Sequence, residues 1–314
     1  MTIVENNQKA LIALSKGHFS EAQKLLFENA RHFPTHETYH NIGYFLCSEG
    51  LECKNGKVRN ADRLGLQYLL KAEQMKATSI NQSALAGECE KQRNAEFCRT
   101  GVDQPALCYT AWQHMERAVK LQYSHEAEYN RLRFWFLYDR LNPDILEGVK
   151  CLLAEYRTED SAEFLLHLLC IHGDYRSCLE LIPRYQDLLD KLGLLSLYCL
   201  CGDFAAGAAL CDDVEKKFVL NDCTTAMMAE CLIRSGKYAS ADALRKRQKE
   251  DLTGLPGTRT DQQKFDRIFA SPEHRAKLIQ TYCYRPPYVP MCEYFGCPLH
   301  GTPFYENHKS TTEK

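Results

Sequence analysis

The chain has 314 residues, a formal charge of −2 at neutral pH and sixteen cysteines. So balanced a charge gives no global basic field for nucleic acid, and no apolar run reaches the ~18 residues a membrane-spanning helix needs. Met1 to Lys9 is polar and lacks the apolar core of a signal peptide, so the expectation is a cytoplasmic protein without a membrane partner.

Gly17-His18-Phe19 is the first of several points where a glycine, a polar residue and an aromatic interrupt an amphipathic pattern. Gly173-Asp174-Tyr175, Gly202-Asp203-Phe204 and Gly236-Lys237-Tyr238 repeat it, with 29 and then 34 residues between successive glycines. A period of this size is the mark of a stacked repeat. Each unit reads as a helical hairpin. The first helix ends at the glycine, which suits a left-handed cap. The aromatic is expected to wedge between helices, and the second helix runs back antiparallel. A small residue five positions after each glycine, Ala22, Cys178, Gly207 or Ala241, lets the two helices approach.

In chain order the pattern predicts helices over Glu5–Lys16 and Ser20–His32, with Pro34 ending the second, and over His36–Glu49. A plain loop with Lys54, Lys57 and Arg59 is expected from Leu51 to Asn60, followed by a helix over Ala61–Lys76. Ile80–Arg93 is a weakly patterned helix, and a polar insertion from Asn94 to Gln104 separates it from the helix carrying Ala111, Met115 and Ala118. Arg131 to Tyr138 is the most aromatic stretch; its spacing buries Leu132 and Phe136, turns Phe134 inward and sets Trp135 toward a neighbour. Pro183 should kink or break its helix near Ile182. Arg245 to Glu250 reads as a solvated helix end. Thr253–Thr258 is the clearest linker, and two short capping helices follow over Asp261–Ala270 and Glu273–Tyr282.

The recurring glycine, aromatic and small-residue offsets resemble the tetratricopeptide repeat (TPR) family. Tyr39, Ile42, Gly43, Leu46 and Gly50, then Gly65, Leu69 and Ala72, keep the same register, as do Tyr129, Leu132, Phe136, Gly148 and Leu152. The resemblance implies an all-α fold, a right-handed superhelical solenoid of about seven antiparallel hairpins over residues 1–252. Linker and capping helices would occupy 253–282, and a short irregular Cys-rich tail 283–314. It also implies a concave groove that binds a protein or peptide. In that register His40, Tyr44, Asn130, Phe134, Glu163, His167 and Glu230 would line it. Chaperone-adaptor members of the family clamp a terminal carboxylate with lysine and asparagine at such positions; this chain lacks the lysine set.

Thirteen cysteines lie between Cys47 and Cys231, mostly inside predicted helices. Cys170, Cys178, Cys199 and Cys211 stand where close-packing side chains are wanted, and thiols fill such places well. The tail is different. Cys283, Cys292, Cys297 and His300 fall within eighteen proline-rich residues, and three thiols with one imidazole match the ligand types of zinc. Their order resembles RNA-binding Cys-Cys-Cys-His fingers, although the last two gaps are one residue shorter. Two other readings stay open: a tail strapped down by Tyr284, Tyr288, Tyr294, Phe295 and Phe304, and a redox pair. No phosphate loop, nucleophile elbow or paired-histidine protease motif is present. The sequence therefore reads as a non-catalytic scaffold. The alternatives are an enzyme or metal-dependent effector built on the tail and a peptide-sensing regulator.

Overall fold

The computed structural model describes residues 3–49, 51–54, 57–60, 62–218, 220–253, 259–280, 282, 284–289 and 294–297. Among them are sixteen helices and one short β-hairpin. The chain divides into two units: residues up to Ile145 together with the segment from Tyr288 on, and Leu146–Pro287.

The first unit opens with α1 (Ile3–Ser15), α2 (Phe19–His32) and α3 (His36–Glu49). Strands β1 (Leu51–Lys54) and β2 (Lys57–Asn60) then pair antiparallel, with Lys54 opposite Lys57. This corrects the expectation of a plain loop and of no sheet. The missed signal is Asn55-Gly56, a dipeptide strongly preferred in two-residue hairpin connections. Helices α4 (Asp62–Met75), α5 (Ser79–Thr100), α6 (Pro105–Leu121) and α7 (His125–Tyr138) follow. Most of the expected insertion after Arg93 is helical, because α5 runs on to a left-handed cap at Gly101. Buried Arg93 holds Asp103 through two hydrogen bonds of 2.6 and 2.7 Å and so ties that extension down.

Next come α8 (Pro143–Glu155), α9 (Glu159–Ile171), α10 (Tyr175–Tyr185), α11 (Lys191–Cys201), α12 (Phe204–Lys217), α13 (Asp222–Arg234) and α14 (Tyr238–Thr253). Two further helices, α15 (Arg259–Ala270) and α16 (Pro272–Gln280), follow in the second unit and pack on α13. Among the described residues fourteen helices therefore precede residue 254, the number expected from the sequence. Pro183 does not break α10 at Ile182; the helix continues to Tyr185.

The turn chemistry follows from the Gly-polar-aromatic triplet. Gly202 takes φ +82°, and its N–H donates to the Cys199 carbonyl while the Asp203 N–H donates to Tyr198. This is a Schellman cap, which satisfies the last carbonyls of a helix. Asp203 then caps the next helix by accepting from the Ala206 N–H at 3.1 Å. The turns at Gly17, Gly173 and Gly236 are built alike. The aromatic does not wedge between helices, however. Phe19, Tyr175 and Tyr238 are exposed, and Phe204 lies under the Arg234 guanidinium. At three of the four turns the side chain is thus exposed, whereas Phe204 packs partly against the core around Leu195 and Cys199; the small residue downstream makes the close contact. Ala22, Ala111, Cys178 and Ala241 are all buried. Where α3 meets α4 even the Cβ is absent: one built on Gly65 would lie 2.5 Å from the Cys47 sulfur.

Candidate functional site

A primary amide inside an apolar helix is costly unless its donor and acceptor are both used. Asn130, fully buried in α7, accepts the Val289 N–H at 3.1 Å and donates to the Val289 carbonyl at 2.9 Å. Asn41, fully buried in α3, does the same to Phe295, with both distances 2.8 Å. Each asparagine thus occupies both main-chain groups of one residue in a segment with no helix of its own. The Phe295 carbonyl also receives Asn7 Nδ2 at 3.5 Å, and Asn7 is held by Asn29 at 2.7 Å.

Rings pack on Tyr288, Tyr294 and Phe295, beside the clamped residues. Phe295 meets the edges of His40 and His36, at centroid distances of 5.1 and 5.8 Å. His40 is anchored by Asn81, 2.8 Å from its Nδ1, and stacks on Tyr44, which meets Tyr294 edge-on at 4.7 Å. Tyr288 lies against Phe134 and under the Arg133 guanidinium, which itself forms a two-pronged ion pair with Glu90. Gly296 takes φ +75°, and a Cβ there would come within 3.3 Å of the Asn7 side chain. Phe295, Gly296 and Cys297 are accordingly buried, while Tyr288, Val289 and Tyr294 are half-buried.

In the second unit the inner residues meet side chains. His167 in α9 stacks on Tyr284 at 3.9 Å with the rings 16° from parallel, and Phe164 and Tyr282 flank the pair. Glu163 lies 3.6 Å from the His167 imidazole. Burial pushes the Tyr282 hydroxyl up to about 12. Glu230 in α13 is engaged by Arg275 of α16 at 2.8 Å, and the same guanidinium donates to the Ile268 and Phe269 carbonyls.

All seven residues expected at the groove lie on α3, α7, α9 and α13, yet they do not line an open surface. His40, Asn130, Phe134 and His167 are each at most 1% exposed. In each unit residues of this set are engaged by later parts of the same chain. Sequence reasoning missed Asn7, Asn41 and Asn81; Asn7 and Asn81 stand among other polar residues, and only Asn41, next to Ile42, Tyr44 and Phe45, carried a local signal. Of the proposed zinc ligands, Cys283, Cys292 and His300 lie outside the described residues; Cys297 is buried. Tyr284, Tyr288, Tyr294 and Phe295 pack against helices in the manner of a strap; Phe304 lies outside the described residues.

Three thiols converge elsewhere. The sulfurs of Cys170 in α9, Cys178 in α10 and Cys201 in α11 all lie within 4.8 Å of one another. Cys170 is 3.6 Å from Cys178 and 3.5 Å from Cys201. Hydrogen bonding from Cys170, then from Cys178, favours the Cys201 thiolate and holds it well below the usual thiol value. By contrast, burial pushes the Cys211 thiol up to about 12. The chain matches no protein-family model, and a search of curated proteins finds no relative.

Proposed function

We propose that this protein is a non-catalytic helical-repeat scaffold of the tetratricopeptide type that holds an extended polypeptide segment against the inner faces of its helices. The observation that carries the reading is the pair of asparagine clamps, Asn130 on Val289 and Asn41 on Phe295. Such clamps recognise extended main chain whatever its side chains, while Tyr44, Phe134 and the imidazoles of His36 and His40 select for aromatic neighbours. The preferred partner is an extended peptide with aromatic residues spaced like Tyr288, Tyr294 and Phe295.

A second reading, a peptide-sensing regulator, draws on the same geometry. The chain's own segment sits where a partner would, so a partner binds by displacing it.

The test uses the full chain with a loosened segment. Val289→Pro removes the N–H that Asn130 accepts, and Tyr288→Ala removes the adjoining ring. A labelled peptide copying residues 284–297 should bind this variant more tightly than it binds the wild type. Adding Asn130→Ala should abolish the gain. Equal binding with and without Asn130→Ala would place the peptide on another surface and end the reading.

A further inference from the structure

We propose that Cys170, Cys178 and Cys201 form a three-thiolate site for one soft d10 metal ion, monovalent copper or zinc. The residues come from three successive helices, α9, α10 and α11, and their side chains meet where those helices pack. A point equidistant from sulfurs 3.5, 3.6 and at most 4.8 Å apart lies about 2.0–2.4 Å from each, which brackets the ~2.3 Å zinc–thiolate bond. An ion can therefore enter with the helices already in place.

The surroundings agree with this chemistry. Cys178 is fully buried and Cys170 nearly so, whereas Cys201 is half-buried at the end of α11 and offers a way in. Among the described residues no other group of three cysteine, histidine or acidic side chains converges this closely. Close-packing alone would account for pairs of touching thiols. It gives no reason for a third to join them from a different helix. Thiolates select soft ions over calcium or magnesium. Binding releases to solvent whatever S–H protons the three cysteines still carry as three metal–sulfur bonds form, so uptake should weaken as pH falls.

The experiment uses full-length protein, reduced and stripped of metal, titrated without oxygen in two arms, with Cu(I) and with Zn(II). One equivalent per chain is expected in at least one arm, with three sulfurs around the ion by X-ray absorption. A shell of three sulfurs alone identifies copper, and an added light atom identifies zinc. Cys201→Ser and Cys178→Ser should each weaken binding by more than the roughly 10–100-fold that loss of a mere supporting partner costs. Replacing the exposed Cys98 and Cys151 should change nothing. If Cys178→Ser fails to fold, Cys201→Ser at the helix end still decides the matter. The proposal is overturned if neither ion binds. It is equally overturned if uptake persists in the triple serine variant, or vanishes only when Cys283, Cys292 and Cys297 are replaced.

Discussion

In the first unit α3 and α7 present amides, and Asn41 and Asn130 grip main chain; in the second α9 presents an imidazole, and His167 grips the ring of Tyr284. The two modes do different work. A main-chain clamp sets the depth and direction of an extended segment and tolerates many sequences. A stacked ring reads side-chain identity and so sets register. The same contrast runs into the packing, where buried asparagine and histidine networks in the first unit give way to thiols and methionines around Cys199, Cys211, Met227, Met228 and Cys231 in the second.

The contrast can be broken most strongly at a clamp. Asn41→Ala leaves the Phe295 N–H without its acceptor and leaves its carbonyl only the longer bond from Asn7, and an orphaned buried group costs roughly 1–3 kcal/mol. Hydrogen exchange at residues 294–297 should rise sharply while exchange in α11–α13 stays unchanged. Loss of protection in both units together would mean that the clamp is not local to the first.

Acid should separate the units next. Burial, with a smaller effect of Arg117, lowers the His114 pKa to about 4, and its Nδ1 lies 2.7 Å from Gln82 Oε1. Below the ordinary value near 6.5 the unfolded chain takes a proton that the folded chain refuses until about pH 4. The first unit should therefore be fully stable above pH 6.5 and lose roughly 2–3 kcal/mol on the way down to pH 4. Both tryptophans, Trp112 and Trp135, lie stacked in this unit. Their fluorescence in denaturant titrations reports its unfolding, and His114→Gln should flatten the pH dependence.

A substitution in the other unit sharpens the comparison from its far side. A Cβ on Gly207 would meet the Cys231 sulfur at 2.6 Å. Gly207→Ala should overpack the contact of α12 with α13 and cost roughly 1–3 kcal/mol. Helical circular dichroism should then lose part of its amplitude early, with tryptophan fluorescence unmoved. The smallest effect is expected at the stacked ring. Tyr284→Leu keeps apolar bulk but forfeits the stack on His167, worth roughly 0.5–1.5 kcal/mol, and should raise exchange only around residue 284.

Much of this fold was legible because its information is local. Periodicity marks the helices, and the triplet at Gly202 encodes a cap, a turn and the next N-cap within three residues. The β-hairpin was equally local, but Asn55-Gly56 was passed over beside a stronger helical signal. The outward set of Tyr175 and Tyr238 was misjudged because a shared motif was read as a shared contact. What could not be read was pairing across distance. Cys170 and Cys201 are 31 residues apart, and Asn41 and Phe295 are 254 apart. No period links such partners, and a proline-rich segment carries no amphipathic face to say where it docks. Nothing in the spacing of His40, Asn130 or His167 names the residues they meet.

That last separation has a consequence during synthesis. The helices of the first unit join near neighbours and can form as they leave the ribosome. Asn41 cannot meet Phe295 until another 254 residues have been translated, a delay of roughly 10–50 s at ordinary elongation rates. Throughout that time the inner face of a nascent chain carries bare amides and uncovered rings. A chain that stops before Phe295 lacks the residue that Asn41 holds, so the clamp belongs only to chains translated past that point.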